Sequence, residues 1–324
     1  MALESLPKLA RDQNYVTVHA LSAGFLTLPE HLFVQPSVEG NRNTVPSLSF
    51  LIQHKEANSG KLSRIVFDLG LRRNLNKYPE GLKAHLKSRQ PLTTSPDVSE
   101  SLKLGGTSPD DIDFVILSHV HWDHIGTPSD FTKSHFIVGN GSLELLRSGA
   151  DPATTGSHSY YEADLLPPER TTELPKAEHS TSEATAHHGG KDVLANAVWQ
   201  KLGPLPNVID VFSDGSLYLV DSPGHLQGHL NILARTGPQI WVYLAGDACH
   251  DRRLLRKELQ IGTWTNEKGD ICCIHVDRAA TEVTMEIIAG LEKLTDDRVE
   301  VILAHDIEWV SNAANKRRFW PGTL

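Results

Sequence analysis

The sequence predicts a layered α/β fold, a single domain of mixed strands and helices. Three observations predict it. Short apolar runs broken by Gly, Pro and Asp recur along the chain and read as buried strands. Amphipathic stretches lie between some of them. The 324 residues, 39% hydrophobic and 22% charged, are enough for a generous core.

Taken in order, strands are expected at residues 49–52, 65–67, 114–117, 136–138, 217–220, 230–233, 240–245 and 299–303. Helices are expected at 80–87, 142–147, 252–259 and, with the clearest periodicity, 281–294. There Val283, Ile287, Ile288, Leu291 and Leu294 form one apolar stripe. Ser108-Pro109-Asp110-Asp111 reads as a helix start, with Ser as N-cap and Pro at the first position. Residues 148–191 are different: rich in Ser, Thr, Pro, Glu and Ala, with little periodicity. A segment this long without a pattern is read as an insertion or lid over the active site, with short helices near 160–165. A solvated surface excursion fits its composition equally well.

Composition narrows the function. A net charge of −9 gives no electrostatic footprint for nucleic acid or anionic membrane, and favours a neutral or modestly charged small-molecule substrate. No stretch approaches the roughly 18 apolar residues of a membrane helix, and residues 1–14 lack the apolar core of a secretory signal. Cys249, Cys272 and Cys273 make an odd count with two adjacent, a poor disulfide framework, so a reducing, cytoplasmic setting is expected. Histidine stands out, with 17 residues, several at metal-site spacings.

The strand at 114–117 runs into Ser118-His119-Val120-His121-Trp122-Asp123-His124. Extended backbone sends His119 and His121 to one side, where both imidazoles can grip one cation. Asp123 and His124, past the turn, can address a second. The strand at 217–220 leads to Ser222-Pro223-Gly224-His225-Leu226-Gln227-Gly228-His229, where His229 is expected to complete the first site. Gly246-Asp247 follows the strand at 240–245, and its carboxylate can bridge the cations; His305, after the strand at 299–303, serves the second. Each ligand thus follows a strand, which a packed scaffold holds in place.

His119-Val120-His121-Trp122-Asp123-His124, with His229, Asp247 and His305 in that order, resembles the metallo-β-lactamase superfamily signature, and Phe67-Asp68-Leu69-Gly70 resembles its early Asp-x-Gly. The resemblance covers nearly the whole chain, and its pattern implies that His225 is a turn residue. It implies an αββα sandwich, two sheets with helices on both outer faces, two zinc ions (Mn, Fe or Co also suit an all-N/O set), and room for a homodimer. Within the superfamily, Ala304-His305-Asp306-Ile307-Glu308 is similar to the acyl-homoserine lactonases. Those enzymes carry tyrosine three residues after the bridging aspartate, where this chain has His250. The run Asp247-Ala248-Cys249-His250-Asp251-Arg252-Arg253 looks more like a fungal branch that opens lactam or cyclic carbamate rings.

The implied reaction is attack of a metal-bridging hydroxide on the carbonyl of a cyclic ester or amide. Asp123 and His250 are the candidates for handling the leaving-group proton. His187 and His188 read as a solvated loop, Cys249 as a small buried side chain, and Asp68 as structural with the option of orienting a ligand histidine. Trp199, Trp264, Phe319 and Trp320 read as packing residues. Two alternatives remain open. A glyoxalase II-like thioesterase would carry nearly the same ligands, although it usually adds a basic C-terminal helical domain, of which Lys316-Arg317-Arg318 is only a trace. A persulfide dioxygenase-type iron enzyme needs only two His and one carboxylate, fewer than the residues present.

Overall fold

The computed structural model describes residues 5–148, 160–177, 194, 197–266 and 268–324. The apolar runs assemble into two six-stranded sheets whose neighbours follow chain order. The first holds β1 (Val16–Pro29), β2 (Arg42–Lys55), β3 (Leu62–Phe67), β4 (Phe114–Ile116), β5 (His135–Val138) and β6 (Thr171–Glu173). The second holds β7 (Gln200–Leu202), β8 (Leu205–Asp210), β9 (Leu217–Asp221), β10 (Leu230–Gly237), β11 (Ile240–Leu244) and β12 (Arg298–Ile302). Pairs β3–β4, β4–β5, β5–β6 and β11–β12 are parallel, and the rest antiparallel. Parallel neighbours need crossovers. These carry α1 (Glu80–Leu86), α2 (Val98–Leu104), α3 (Ser142–Ser148), α4 (Arg252–Leu255) and α5 (Arg278–Leu291), while α6 (Ile307–Ser311) follows β12.

Alternation along the strands builds three apolar layers. Phe50, Ile52, Phe67 and Ile116 from one sheet meet Leu219, Ile232, Val242, Leu244 and Ile302 from the other. Their neighbours in sequence face outward: Val66, Val115 and Phe136 against Val98 and Leu102 of α2 and Leu145 of α3, Trp241, Tyr243 and Val301 against Met285 and Ile288 of α5. The architecture is the αββα sandwich. Central strands such as β10 and β11 are covered on both faces and read as continuous apolar runs.

All eight expected strands form. The expectation missed β1, which mixes polar and small residues in the run VTVHALSAGFLTLP yet is mostly buried, and it missed β6, β7, β8, α2 and α6. The helix expected at 281–294 starts earlier, capped by Asp277, whose side chain accepts from the Ala280 N–H. Its buried face is Thr281, Thr284, Met285 and Ile288, while Val283 is 59% exposed. The helix expected at 252–259 ends at Leu255, and Ser108–Asp111 closes a single 3-10 turn with a capping box. No helix forms at 160–165; Tyr160 packs beside Gly81 and His85, and the following residues turn into edge strand β6. Residues 149–159 and 178–191, His187 and His188 among them, lie outside the described residues. Among the described residues no helix is long and apolar enough to cross a membrane.

The site follows from strand direction. β3, β4, β9, β11 and β12 end along one edge of the sandwich, the place where α/β sheets present ligand-binding loops. The Leu230 N–H donates to the Ser118 carbonyl (2.7 Å) and the Leu48 N–H to the Ala304 carbonyl (2.9 Å), tying the two sheets together there.

Candidate metal centre

Among the described residues, the ligand atoms of His119, His121, His225 and Asp247 lie within 4.8 Å of one another, as do those of Asp123, His124 and His305. His121 Nδ1 is 2.9 Å from His119 Nε2 and 3.0 Å from His225 Nε2. Asp247 stands between the two sets. Its Oδ2 is 3.5 Å from His225 Nε2, 3.7 Å from His119 Nε2 and 3.3 Å from His124 Nε2; its Oδ1 is 3.4 Å from His305 Nε2. Asp123 Oδ2 is 3.6 Å from His305 Nε2.

One residue expected in this cluster is replaced by its neighbour. His229 does not face the centre: its Nε2 accepts the Asp247 backbone N–H at 3.0 Å. The reason is local. His229 immediately precedes β10 and its carbonyl already accepts from Ser222, so its backbone is committed to the sheet edge. His225 sits at the apex of the connecting loop, after Gly224 at φ +129°, and projects inward. No local motif separates the two histidines: the boundary that does, Leu230 as the first residue of β10, is set by its pairing with Asp221 of β9. Gly246, at φ +47°, passes so close to His229 that a Cβ would stand 2.9 Å from Nε2. His229 is therefore the support on which the Gly246-Asp247 turn rests.

A second ring of hydrogen bonds orients the imidazoles. Asp68 Oδ1 accepts from the Ser118 N–H (2.6 Å), and its Oδ2 from the Ser118 hydroxyl (2.7 Å) and His124 Nδ1–H (2.8 Å). With its own proton given to Asp68, the Ser118 hydroxyl accepts from His119 Nδ1–H at 2.9 Å. His305 Nδ1–H donates to the Pro46 carbonyl at 2.7 Å. Each of these bonds leaves Nε2 as a lone pair aimed at the cluster, the tautomer a cation needs.

Burial dominates the titration. Desolvation, reinforced by neighbouring imidazoles, holds His119 and His225 well below their ordinary range and pulls His121 down to about 4 and His229 to about 3. For His124 and His305 burial acts the same way, but Asp247, helped by Asp68 at His124 and by Asp123 at His305, outweighs it and raises both. Burial opposes the Asp247 charge, yet His124, His305 and His250 keep that carboxyl well below its usual value.

These residues fit divalent cations. His124 Nε2 and Asp247 Oδ1 are buried without a hydrogen-bond partner. Buried polar atoms are normally satisfied, so orphans converging on one region call for a ligand. The donors are imidazole nitrogens and carboxylate oxygens, the set that suits zinc and its first-row neighbours.

A third cluster was not foreseen: His225, His250 and His275. His250 Nε2–H donates to Asp247 Oδ2 at 3.1 Å, while its Nδ1 has no partner. His275 Nδ1 is 3.2 Å from His225 Nδ1. Because His225 Nε2 faces the centre as a lone pair, Nδ1 carries the proton and donates to His275. No local motif marks His275. It reaches the site because the N–H groups of Val276 and Asp277 pair with the carbonyls of His225 and Gly224.

A cavity of about 50 Å³ opens onto the centre, walled by Leu28, Phe33, Trp122 and Ile274 together with His85 and Arg89. A larger one, about 320 Å³, shares Leu28, Phe33, His250 and His305 with it. His250 thus stands where the two meet. Tyr161 stacks over His121 at 6.3 Å. Trp122 lines the cavity and also packs in the core, with its carbonyl held by the Tyr78 hydroxyl. Cys249 is fully buried, its thiol pushed up to about 12 and donating to the Asp251 carbonyl. Trp199 lies in the inter-sheet core, and Trp320 packs on His19.

This loop edge, with paired His/Asp sets meeting at one aspartate, defines the class. A family model described as the metallo-beta-lactamase superfamily matches residues 42–248, and the chain belongs to that superfamily. It is 31% identical over 334 residues to the cytochrome P450 monooxygenase mpaDE of Penicillium roqueforti (strain FM164), covering 97% of this chain and 35% of that protein. The chain therefore spans about a third of that relative's length. It is 32% identical over 193 residues to the gamma-lactamase MBL2 of Gibberella moniliformis (strain M3125 / FGSC 7600), covering 57% of this chain and 70% of that protein. A solved N-acyl homoserine lactone hydrolase with its product N-hexanoyl-L-homoserine superposes with a TM-score of 0.62 over 96% of this chain and 100% of that one, at 18% identity.

Proposed function

We propose that this chain is a dinuclear zinc hydrolase that opens a cyclic ester or amide: a lactone, γ-lactam or cyclic carbamate. The observation that carries the reading is the meeting of two His/Asp sets at Asp247, with His250 at the joint of two cavities beside it. His119, His121 and His225 would hold one cation, Asp123, His124 and His305 the other, and Asp247 both. When bound, such a pair polarises a carbonyl oxygen and brings the pKa of water from 15.7 down to about 7.

The chain's own residues do the rest. Asp68, Ser118 and the Pro46 carbonyl hold three imidazoles in the required tautomer. Leu28, Phe33, Trp122 and Ile274 exclude water from one side of the cavity, which strengthens every charge interaction within it. In ring opening, the oxygen of water joins the carbonyl carbon, the ring C–O or C–N bond breaks, and the departing atom takes a proton. His250 lines both cavities with a free Nδ1 and is assigned, with Asp123, to holding that proton. The names of the gamma-lactamase and lactonase relatives support a ring substrate.

The test is a hydrolysis panel on zinc-loaded protein with a chelated control. It compares acyl-homoserine lactones, simple γ-lactones, benzoxazolinone-type carbamates, lactams and glutathione thioesters. Chelator-sensitive turnover of a ring substrate is the expected result. Turnover of the thioester alone would overturn the reading in favour of a glyoxalase II-like activity.

A further inference from the structure

Arg89 is 4% exposed, yet among the described residues no carboxylate lies within 4 Å of its guanidinium. Among the described residues its one side-chain hydrogen bond runs from Nε–H to His85 Nε2 at 3.2 Å, and none of them pairs with Nη1 or Nη2. The side chain lines the same small cavity as His121, Asp123, His225, Asp247 and His250, beside the apolar walls of Leu28, Phe33, Trp122 and Ile274. A buried, unpaired cation is costly, and arginine stays protonated at any physiological pH. Burial and the neighbouring Arg42 both disfavour the charge; Asp123 is the carboxylate that favours it, and Asp123 is committed to the metal cluster. Arg42 donates to the carbonyls of Ser88 and Gln90, on either side of Arg89, so a second guanidinium adds to the local positive field. An open guanidinium fork pairs with a carboxylate or a phosphate through two parallel N–H···O bonds, and of these the carboxylate is the group that hydrolysis of a cyclic ester or amide itself produces.

We infer that Arg89 is the recognition residue for a carboxylate group at the reaction centre. The inference rests on the ring-opening reading and deepens it, naming the chemistry of what the cavity holds. The carboxylate has two sources: a substituent the ring substrate already carries, or the group that ring opening creates. In the first case Arg89 selects anionic substrates, against the neutral preference suggested by the chain's net charge of −9. In the second it holds the opened product.

The experiment compares wild-type holoenzyme with Arg89→Met and Arg89→Lys. Three quantities are measured: the dissociation constant of benzoate, the KM values of γ-butyrolactone and its γ-carboxylate, and inhibition by 4-hydroxybutyrate. Arg89→Met is expected to weaken benzoate at least tenfold and leave the KM of the neutral lactone within threefold, with Arg89→Lys intermediate because it keeps the charge and loses the fork. A tenfold rise in KM confined to the carboxylated lactone identifies the substrate as the source; a tenfold rise in the inhibition constant of 4-hydroxybutyrate identifies the product. Removing a buried unpaired charge should leave the melting temperature unchanged or higher. Benzoate affinity and both kinetic constants within threefold of wild type would overturn the proposal. So would a melting temperature lowered by several degrees in both variants, which marks a structural role. If wild type opens neither lactone, the ring-opening reading fails for these rings, while benzoate binding still reports on Arg89 by itself.

Discussion

His225 Nδ1 and His275 Nδ1 lie 3.2 Å apart, although fifty residues separate them in the chain. The contact makes His275 a positioning residue: by accepting the Nδ1 proton it holds His225 with Nε2 unprotonated and facing His121. His275→Ala is expected to lower metal affinity about 10–100-fold, the usual cost of losing a ligand-orienting partner. His275→Gln, whose amide oxygen can still accept, should recover much of it. Titration with a competing chelator distinguishes this from a packing role, in which the Gln variant would bind no better than the Ala variant.

His225 and His229 make opposite predictions despite their four-residue spacing. His225→Ala removes a nitrogen 3.0 Å from His121 Nδ1 and should cost about one metal equivalent per chain, read by elemental analysis of the purified protein. His229→Gln keeps an acceptor for the Asp247 N–H and should retain both equivalents. Loss of an equivalent from the His229 variant alone would restore His229 to the ligand set.

Asp68 sits at φ +62°, a conformation that Asn tolerates. Asp68→Asn therefore tests the carboxylate without straining the backbone. An Asn oxygen can still accept from the Ser118 N–H, but its amide would then meet two donors, the Ser118 hydroxyl and His124 Nδ1–H, where Asp68 accepts from both. Metal affinity should fall about 10–100-fold, with the folded state retained by circular dichroism.

The metal-free protein should be sensitive to acid. Burial holds His121 at about 4 and His229 at about 3, and lowers His119, His225 and His275 as well. In the unfolded chain these groups titrate near 6.5, so between roughly pH 6.5 and 4 the unfolded state binds more protons than the folded one. Their contribution is present above 6.5 and is lost as the pH falls through that window. His124 and His305, both raised, act at the other end: their contribution is full below 6.5 and declines as the pH rises through their folded values. Melting temperatures of chelated protein should therefore fall from pH 6.5 to 4, and His121→Asn should flatten the slope. A flat wild-type profile across that window would contradict the burial argument.

Much of the centre was legible in the sequence because strands and their end loops are local features. Apolar runs at 65–67, 114–117, 240–245 and 299–303 placed Asp68, the 118–124 loop, Asp247 and His305 at one sheet edge, and the structure brings their side chains together there. β1 escaped notice because its run mixes polar and small residues among the apolar ones, so its burial comes from pairing with β2 and from α2 and β10 packing over it, and not from local hydrophobicity.

By itself, then, the sequence determined a layered α/β fold and the order in which its strand ends deliver His and Asp, since hydrophobic periodicity and short-range spacing are written residue by residue; the sandwich followed from the resemblance that the His/Asp motif carries. Only the tertiary structure decided which of His225 and His229 faces inward, a choice made by where the loop joins β10. It also decided that His275 touches His225, and that Arg89 is buried against the same cavity with no carboxylate, among the described residues, paired to its guanidinium. Those three facts depend on segments far apart in the chain meeting in space, and packing between such segments leaves no periodic signature in either one.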